Sequence, residues 1–455
     1  MELINLRFEP GRKKALKKSK VGMEAEFFLI NNEGYVMHNA PEVINAVKKA
    51  YKSIPIVHEV GKHFIEFGCY PDVKAYNPAL DMISSIEKTQ ELCRKKGIRL
   101  FPFSTYPGKF DPQIYEKERY RIQEKIFGTE RFWHASRVAG YHIHYSLPRG
   151  VFDKEKRMIR ILKKSKLSRS MIGSYNFEIA ADPALTLFTQ SSPFYQGVLK
   201  AKDSKMLMYR GGKKLNSPEG LYANHQQIGG MPPYKQTVTD LISSLNKRWD
   251  RWRREVEKAD NTVDFEKLYH KAKLDITWGP VRINKIGTLE ARGPDMNFMS
   301  LCFAVTVALK FCLRKIQREF IEVIPADFAI EEPLKFENGI LYIPPHTYVR
   351  NKLQPWSAYN GHSRREMHRY AEKFFRFARS VTPRSYHGII APLSNMLESK
   401  ESVSDIIIAY ARRKGMIDNG KISDKNAAEL ALHYAELFNK DLQMVKGQLL
   451  KLKGL

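Results

Sequence analysis

The ten residues Val21-Gly22-Met23-Glu24-Ala25-Glu26-Phe27-Phe28-Leu29-Ile30 constrain the fold of this chain more than any other stretch. Their apolar content predicts a β-strand, in which successive side chains alternate between two faces. Met23, Ala25, Phe27 and Leu29 make one face wholly apolar, fit for a core. The other face carries Glu24, Glu26, Phe28 and Ile30. Two carboxylates on adjacent same-face positions of a hydrophobic strand are costly to bury unless a cation neutralises them. The strand asks for that cation.

Three further stretches have the same character. Lys62-His63-Phe64-Ile65-Glu66-Phe67 puts Glu66 on one face with Phe64. Gly140-Tyr141-His142-Ile143-His144-Tyr145 puts both histidines on one face, and Thr288-Leu289-Glu290-Ala291-Arg292 does the same for Glu290 and Arg292. Each pattern alone has a mundane reading: a solvated face, a lysine salt bridge, or an ion pair along one strand. Together on one sheet they would gather four carboxylates and two imidazoles, a density of like charge that calls for divalent cations. Carboxylate-rich ligation with one or two imidazoles suits Mg²⁺ or Mn²⁺ better than Zn²⁺. Magnesium usually completes its shell with water and substrate phosphates.

Composition narrows the class. The 455 residues hold 76 Lys+Arg against 49 Asp+Glu, a net charge of +27, which favours anionic partners without choosing among nucleic acid, nucleotide and small acids. No run approaches the ~20 apolar residues of a membrane span. The basic lead-in, from Arg12 to Lys20, lacks the apolar segment of a secretory signal. Cys69, Cys93, Cys302 and Cys312 show no CxxC spacing and read as buried or free thiols of a cytoplasmic protein. The phosphate-loop, dinucleotide and Gly-x-Ser-x-Gly motifs are all absent.

Along the chain, Asn31 to Gly34 reads as a turn, and helices are predicted from Pro41, over 77–96, over 111–132 and over 153–166, the last strongly basic. Residues 200–227 read as an irregular, mobile loop. Helices follow over 238–257, 301–324, 364–381, 403–414 and 423–453, with Ser423 as N-cap of the last. Asp275 to Trp278 and Arg282-Ile283 read as strand. The mixed order lacks a βαβ rhythm, so the expected class is α+β: a sheet with one functional face and helices behind it.

Taken in order, Gly22-Met23-Glu24-Ala25-Glu26-Phe27, Phe64-Ile65-Glu66, Gly140-Tyr141-His142-Ile143-His144, Ser192-Pro193-Phe194-Tyr195-Gln196-Gly197 and Thr288 to Asp295 resemble the motifs of the second glutamate–cysteine ligase family, whose members include other carboxylate–amine ligases. Asp275 to Trp278 and Arg350-Asn351 through Gly361 are also similar. The resemblance implies a glutamine-synthetase-like domain over 21–380, with a curved, mainly antiparallel sheet and flanking helices. A basic lead-in would precede it (1–20) and a helical C-terminal extension follow (381–455). It further implies an ATP- and Mg²⁺-dependent (or Mn²⁺-dependent) ligase that phosphorylates the side-chain carboxylate of glutamate or a similar acid. An amine, cysteine in the family activity and a step of glutathione biosynthesis, would then displace phosphate.

By motif, Glu24, Glu26, Glu66, His142 and Glu290 match metal ligands, and Arg292 the residue that meets the transferring phosphate. Glu290 and Arg292 are the catalytic pair, and His144, Arg210 and Arg292 fall to substrate or nucleotide binding. The expected partners are a small acid and an amine, with no membrane. Three alternatives remain open at this point: a ligase for another amine, a nucleic-acid-binding protein on this scaffold, and a metal-dependent hydrolase built on His142 and His144. Oligomeric state is open.

Overall fold

Seven strands pair antiparallel throughout in the computed structural model, which describes residues 19–454. Most of the basic lead-in, residues 1–18, lies outside the described residues. The opening strand is β1 (Val21–Asn31), followed by β2 (Ile56–His58), β3 (Phe64–Gly68), β4 (Ile98–Phe101) and β5 (Tyr141–Ser146). Two hairpins come next, β6 (Phe152–Asp153) with β7 (Met158–Ile159) and β8 (Phe194–Tyr195) with β9 (Val198–Leu199). The sheet is completed by β10 (Val281–Asn284) and β11 (Thr288–Ala291). Its order is β10-β11-β5-β1-β3-β2, with β4 pairing the far end of β1.

The faces divide as alternation requires. Phe27 meets Phe438 with ring centroids 5.4 Å apart, and the Tyr141 hydroxyl lies 2.8 Å from that of Thr306, so this side of the sheet faces helices. The longer helices of the chain are α1 (Ala40–Ala50), α2 (Tyr76–Arg94), α3 (Glu118–Phe127), α4 (Lys166–Thr189), α5 (Ser204–Arg210), α6 (Val238–Ala259), α7 (Met299–Glu319), α8 (Arg365–Val381), α9 (His387–Ser399), α10 (Val403–Arg413) and α11 (Asp424–Lys453), of which α3 and α5 border the charged face instead. α4 is apolar around nearly its whole circumference and buried along most of its length, as such a helix must be. One apolar cluster runs from Val21 to Leu449. A smaller one joins α3 and α6 through Phe127, Trp249 and Trp252.

Several local expectations hold. The Asn31 side chain accepts from the backbone N–H of Glu33 (3.1 Å) and Tyr35 (2.8 Å), closing the turn after β1. Ser423 caps α11 by accepting from Asn426 N–H at 3.2 Å. The four cysteines are free. Among the described residues no helix is long and apolar enough to cross a membrane.

Others are corrected. Residues 153–166 form no helix: Asp153 accepts from Glu155 and Lys156 N–H (3.1 and 3.0 Å) and turns the chain into the β6–β7 hairpin. A helix there would stack like charges at i,i+3 and i,i+4. The stretch 200–227 is not irregular throughout. Asp203 caps the buried helix α5, and further short turns follow. Asp275 lies in a 3₁₀ turn (Lys273–Ile276) rather than a strand. The helix expected over 301–324 stops at Glu319, because Phe320 takes a left-handed conformation (φ 55°) and Glu322–Pro325 continues as a strand.

Candidate active site

Register assembles the site. Glu24 stands opposite His142, Glu26 opposite Glu66, and Glu290 opposite both His144 and Arg282. Residues opposite one another across a ladder share a face, so the four sequence patterns meet on one side of the sheet. Farther along β1 that face becomes apolar, where Phe28 packs on Phe64, His63 and Phe110. The charged part lines a cavity of about 400 Å³. Glu24, Glu26, Glu66, His142 and Arg292 line it together with the apolar and aromatic side chains Phe127, Phe132, Leu221, Tyr222 and Trp278.

Two halves of this site differ in charge balance. His142 Nδ1 lies 3.1 Å from Glu24 Oε2, and His144 Nε2 lies 3.2 Å from Glu24 Oε1. Burial pushes Glu24 up, but the His144 charge and hydrogen bonds from both imidazoles outweigh it and hold its carboxyl low. Glu290 is wholly buried and accepts from Arg282 (2.6 and 3.0 Å), Asn284 (2.5 Å) and Arg292 (2.5 Å). Burial opposes its ionisation, but the two guanidinium groups hold it well below the usual carboxylate range. Burial, then Arg292, lowers His142 to about 4. His144 moves the other way: burial opposes its charge, and Glu290 and Glu24 raise it.

On the other half, Glu26 and Glu66 face each other and accept no hydrogen bond from a guanidinium, although the Arg292 and Lys205 charges act on Glu26. Glu26 accepts from Gly140 N–H at 2.6 Å, yet burial and then the Glu59 carboxylate raise it to about 8. Glu66 is raised well above the normal range by desolvation and by Glu24, Glu59 and Glu26. These are oxygens short of positive charge. Ligand atoms of Glu26, Glu66 and His142 lie within 4.8 Å of one another, as do those of Glu24, His142 and Glu290. The first set fits a hard divalent cation directly: two unbalanced carboxylates and one neutral imidazole. The second already has its charge met, so Glu290 would have to release Arg282, Arg292 or Asn284 to bind a metal.

Arg210 is not brought to the cavity. It sits on α5, 4% exposed. Its guanidinium is held bidentate by buried Asp182 at 2.6 and 2.9 Å. A Cβ on Gly293 would overlap the Asp182 carboxylate, so this pair explains the glycine after Arg292. Two motifs prove to be structural and tied together. Asp295 accepts from Ser192 Oγ (2.7 Å) and Ser191 N–H (3.0 Å), and Lys205 donates to the Pro294 carbonyl at 2.5 Å.

Sequence reading missed Arg282, Asn284, Glu59, Lys205 and Arg119. Alternation in Val281-Arg282-Ile283-Asn284 carried a signal for the first two, which share the face of Glu290. Glu59 lies in a loop, Lys205 on α5 and Arg119 on α3, and no periodicity connects them to the sheet.

Residues 20–175 match the sequence model of glutamate-cysteine ligase family 2 (GCS2). Over that segment the resemblance is borne out. The GCS2-matched part contains β1, β3 and β5, and with them Glu24, Glu26, Glu66, His142 and His144. No curated protein matches the chain in sequence. Among solved structures, a bifunctional glutathione synthetase from Pasteurella multocida aligns over 94% of this chain and 53% of its own, at 12% identity and a TM-score of 0.53. The chain thus spans about half the length of that protein. Glutamate–cysteine ligase from Francisella tularensis, in complex with AMP, aligns over 96% of this chain and 93% of its own, at 12% identity and a TM-score of 0.52. At that identity the likeness shows the fold: an α+β, glutamine-synthetase-like arrangement with an antiparallel sheet.

Proposed function

We propose that this protein is an ATP-dependent carboxylate–amine ligase that activates a carboxylate as an acyl phosphate and joins it to an amine, glutamate and cysteine being the simplest pair. The observation that carries this reading is the unbalanced Glu26–Glu66 pair, on strands inside the GCS2-matched segment and facing the same cavity as Arg292. Glu26, Glu66 and His142, joined by Glu24, would hold Mg²⁺ or Mn²⁺, which supplies neutralisation of phosphate charge when bound.

The chain's own residues do the rest. The substrate carboxylate oxygen attacks the γ-phosphorus of ATP and ADP departs; the amine then attacks the acyl carbon, loses a proton and expels phosphate. Such transfers need positioning and charge neutralisation more than covalent help from the protein. Arg292 is placed for this. Its Nη1 is anchored on Glu290 while its buried Nε has no hydrogen-bond partner, so it presents a fixed positive charge where phosphoryl oxygens gather. The apolar walls of Phe127, Phe132 and Leu221 exclude water, which would otherwise hydrolyse the acyl phosphate.

A ligase for a different amine uses the same machinery, and the assay below separates the two. The hydrolase alternative loses its basis. His144 Nδ1 lies 2.9 Å from the Thr288 hydroxyl and its Nε2 is turned to Glu24, so the two histidines do not converge on one ion. The test is phosphate release from ATP across a matrix of acids and amines. Release that requires both an acid and an amine is expected. Release without an amine, or none with any pair, would sink the proposal.

A further inference from the structure

The chain's excess of positive charge is not spread evenly. Residues 149–169 hold nine lysines and arginines against two acids, whereas the chain as a whole has 76 basic residues in 455. This run forms the β6–β7 hairpin and the strap leading into α4. Much of its apolar side is spent inward: Val151 and Ile159 are buried, and the Phe152 ring packs over the Gly287 turn between β10 and β11, while Ile161 is 39% exposed. Arg149, Lys154, Lys156, Arg157, Lys163 and Lys166 are exposed. Of the two acids, Asp153 is turned to its own backbone and to Arg160 at 3.7 Å. Glu155 remains beside the exposed cations of the hairpin, and Asp240 and Glu322 border the cleft that Lys164 and Arg169 line.

Lys20 arrives at the same place by a different route. Ser146, at the end of β5, accepts from Lys20 N–H through its Oγ (3.1 Å) and donates its own N–H to the Lys20 carbonyl (3.0 Å). The sequence leading to Lys20 contains Arg12, Lys13, Lys14, Lys17 and Lys18 with no acid after Glu9. The acid nearest this junction is Asp72, whose backbone pairs with Val21 and whose carboxylate is taken by Lys74 N–H and Asn77. Lys20 and the run that begins at Arg149 therefore meet at one end of the sheet. The β10–β11 turn, with Lys285 and Ile286 at the cavity mouth, adjoins them.

We propose that the β6–β7 hairpin and its strap, with the junction at Lys20, form a docking surface for the phosphate backbone of a nucleic-acid duplex. Phosphate contacts need exposed lysines and arginines in excess of local acids, which is the composition of the hairpin. A membrane-surface element would show a continuous apolar face beside its cations; here Phe152 and Ile159 are committed to the fold, and the exposed Ile161 and Ile286 lie on separate segments. The exposed aromatic platform that single strands stack on is missing from the hairpin. The surface is independent of the ligase chemistry: none of its exposed cations lines the catalytic cavity.

The test is fluorescence anisotropy of the full chain with ~20-base-pair RNA and DNA duplexes, over ~50 to ~200 mM salt. Binding with a steep salt dependence is expected, and the two duplexes distinguish the sources. K154E/K156E/R157E should weaken it at least about tenfold and flatten the log–log salt slope by about three, one unit per lost phosphate contact. K48E/K49E/K52E makes the same charge change at the end of α1, beside β2 at the opposite edge of the sheet, and should leave affinity near wild type. ATP-dependent phosphate release by both variants reports that each is folded. Equal loss in both triple variants would show bulk charge and overturn the proposal. So would failure of both duplexes to bind, or binding only to phosphatidylserine vesicles.

Discussion

Glu66 and Glu290 show how two carboxylates on one sheet face come to different states. Glu290 is met by two guanidinium groups and an amide, so its charge is already balanced. Glu66 looks across at Glu26 and has Glu59 and Glu24 nearby. Replacing Glu290 by glutamine would strand two arginines, and breaking a buried pair by removing one partner typically costs about 3–5 kcal/mol. That substitution therefore confounds folding with chemistry. Glu66→Gln does not. In metal-free protein E66Q should melt higher than wild type, since it removes repulsion. Added Mg²⁺ or Mn²⁺ should raise the melting temperature of wild type but little that of E66Q, and turnover of the variant should fall by about 10²-fold or more. Equal cation responses in the two proteins would remove Glu66 from the site.

At the scale of the element, α7 carries a charge in a position the apolar pattern does not want. Lys310 is 3% exposed, donates to the Val73 carbonyl, and is lowered to about 8 by burial and then by Arg314. A lysine whose folded pKa lies below its unfolded value of 10.5 binds its proton less well when folded. Below about pH 8 the folded state bears the full cost of the buried charge, and stability is regained as pH rises from 8 towards 10.5. Lys310→Met should thus be more stable at pH 7 by ~1–3 kcal/mol. The difference between wild type and K310M should shrink as pH rises through that window. Thermal melts of both proteins from pH 7 to 10 measure it, and a constant difference would show that Lys310 is not buried as a charge.

For the whole molecule, the first turn and the last helix are in direct contact. Gly34 follows β1 at φ 93°, and a Cβ there would overlap the Ala428 carbonyl of α11. The Tyr106 hydroxyl donates to the Gly34 carbonyl at 3.0 Å, which fixes the turn from the other side. Gly34→Ala should destabilise the protein by about 2 kcal/mol or more, from left-handed strain and the clash together. A melting temperature within a degree of wild type would show that α11 yields easily. Residues 381–455, proposed as an extension, supply Tyr434, Phe438 and Leu449 to the cluster that also holds Phe27.

What the sequence determined by itself is what alternation encodes. Period two is local, so Glu24 with Glu26, His142 with His144, and Glu290 with Arg292 are legible as same-face pairs from their spacing alone. So are the core-facing Ala25, Ile143 and Ala291, and with them the α+β class and the GCS2 resemblance. Val281 to Asn284 is equally legible by the same rule, which puts Arg282 and Asn284 on one face. Register and approach are not local. Only the tertiary structure put Glu66 opposite Glu26 rather than beside a lysine, brought Glu59 and Lys205 in from a loop and a helix, and tied Arg210 to Asp182 behind Gly293. The physical reason is that charge balance in a buried site is set by neighbours in space. The opening strand shows that its carboxylates need a cation; the fold gives Glu24 two imidazoles and leaves Glu26 facing Glu66.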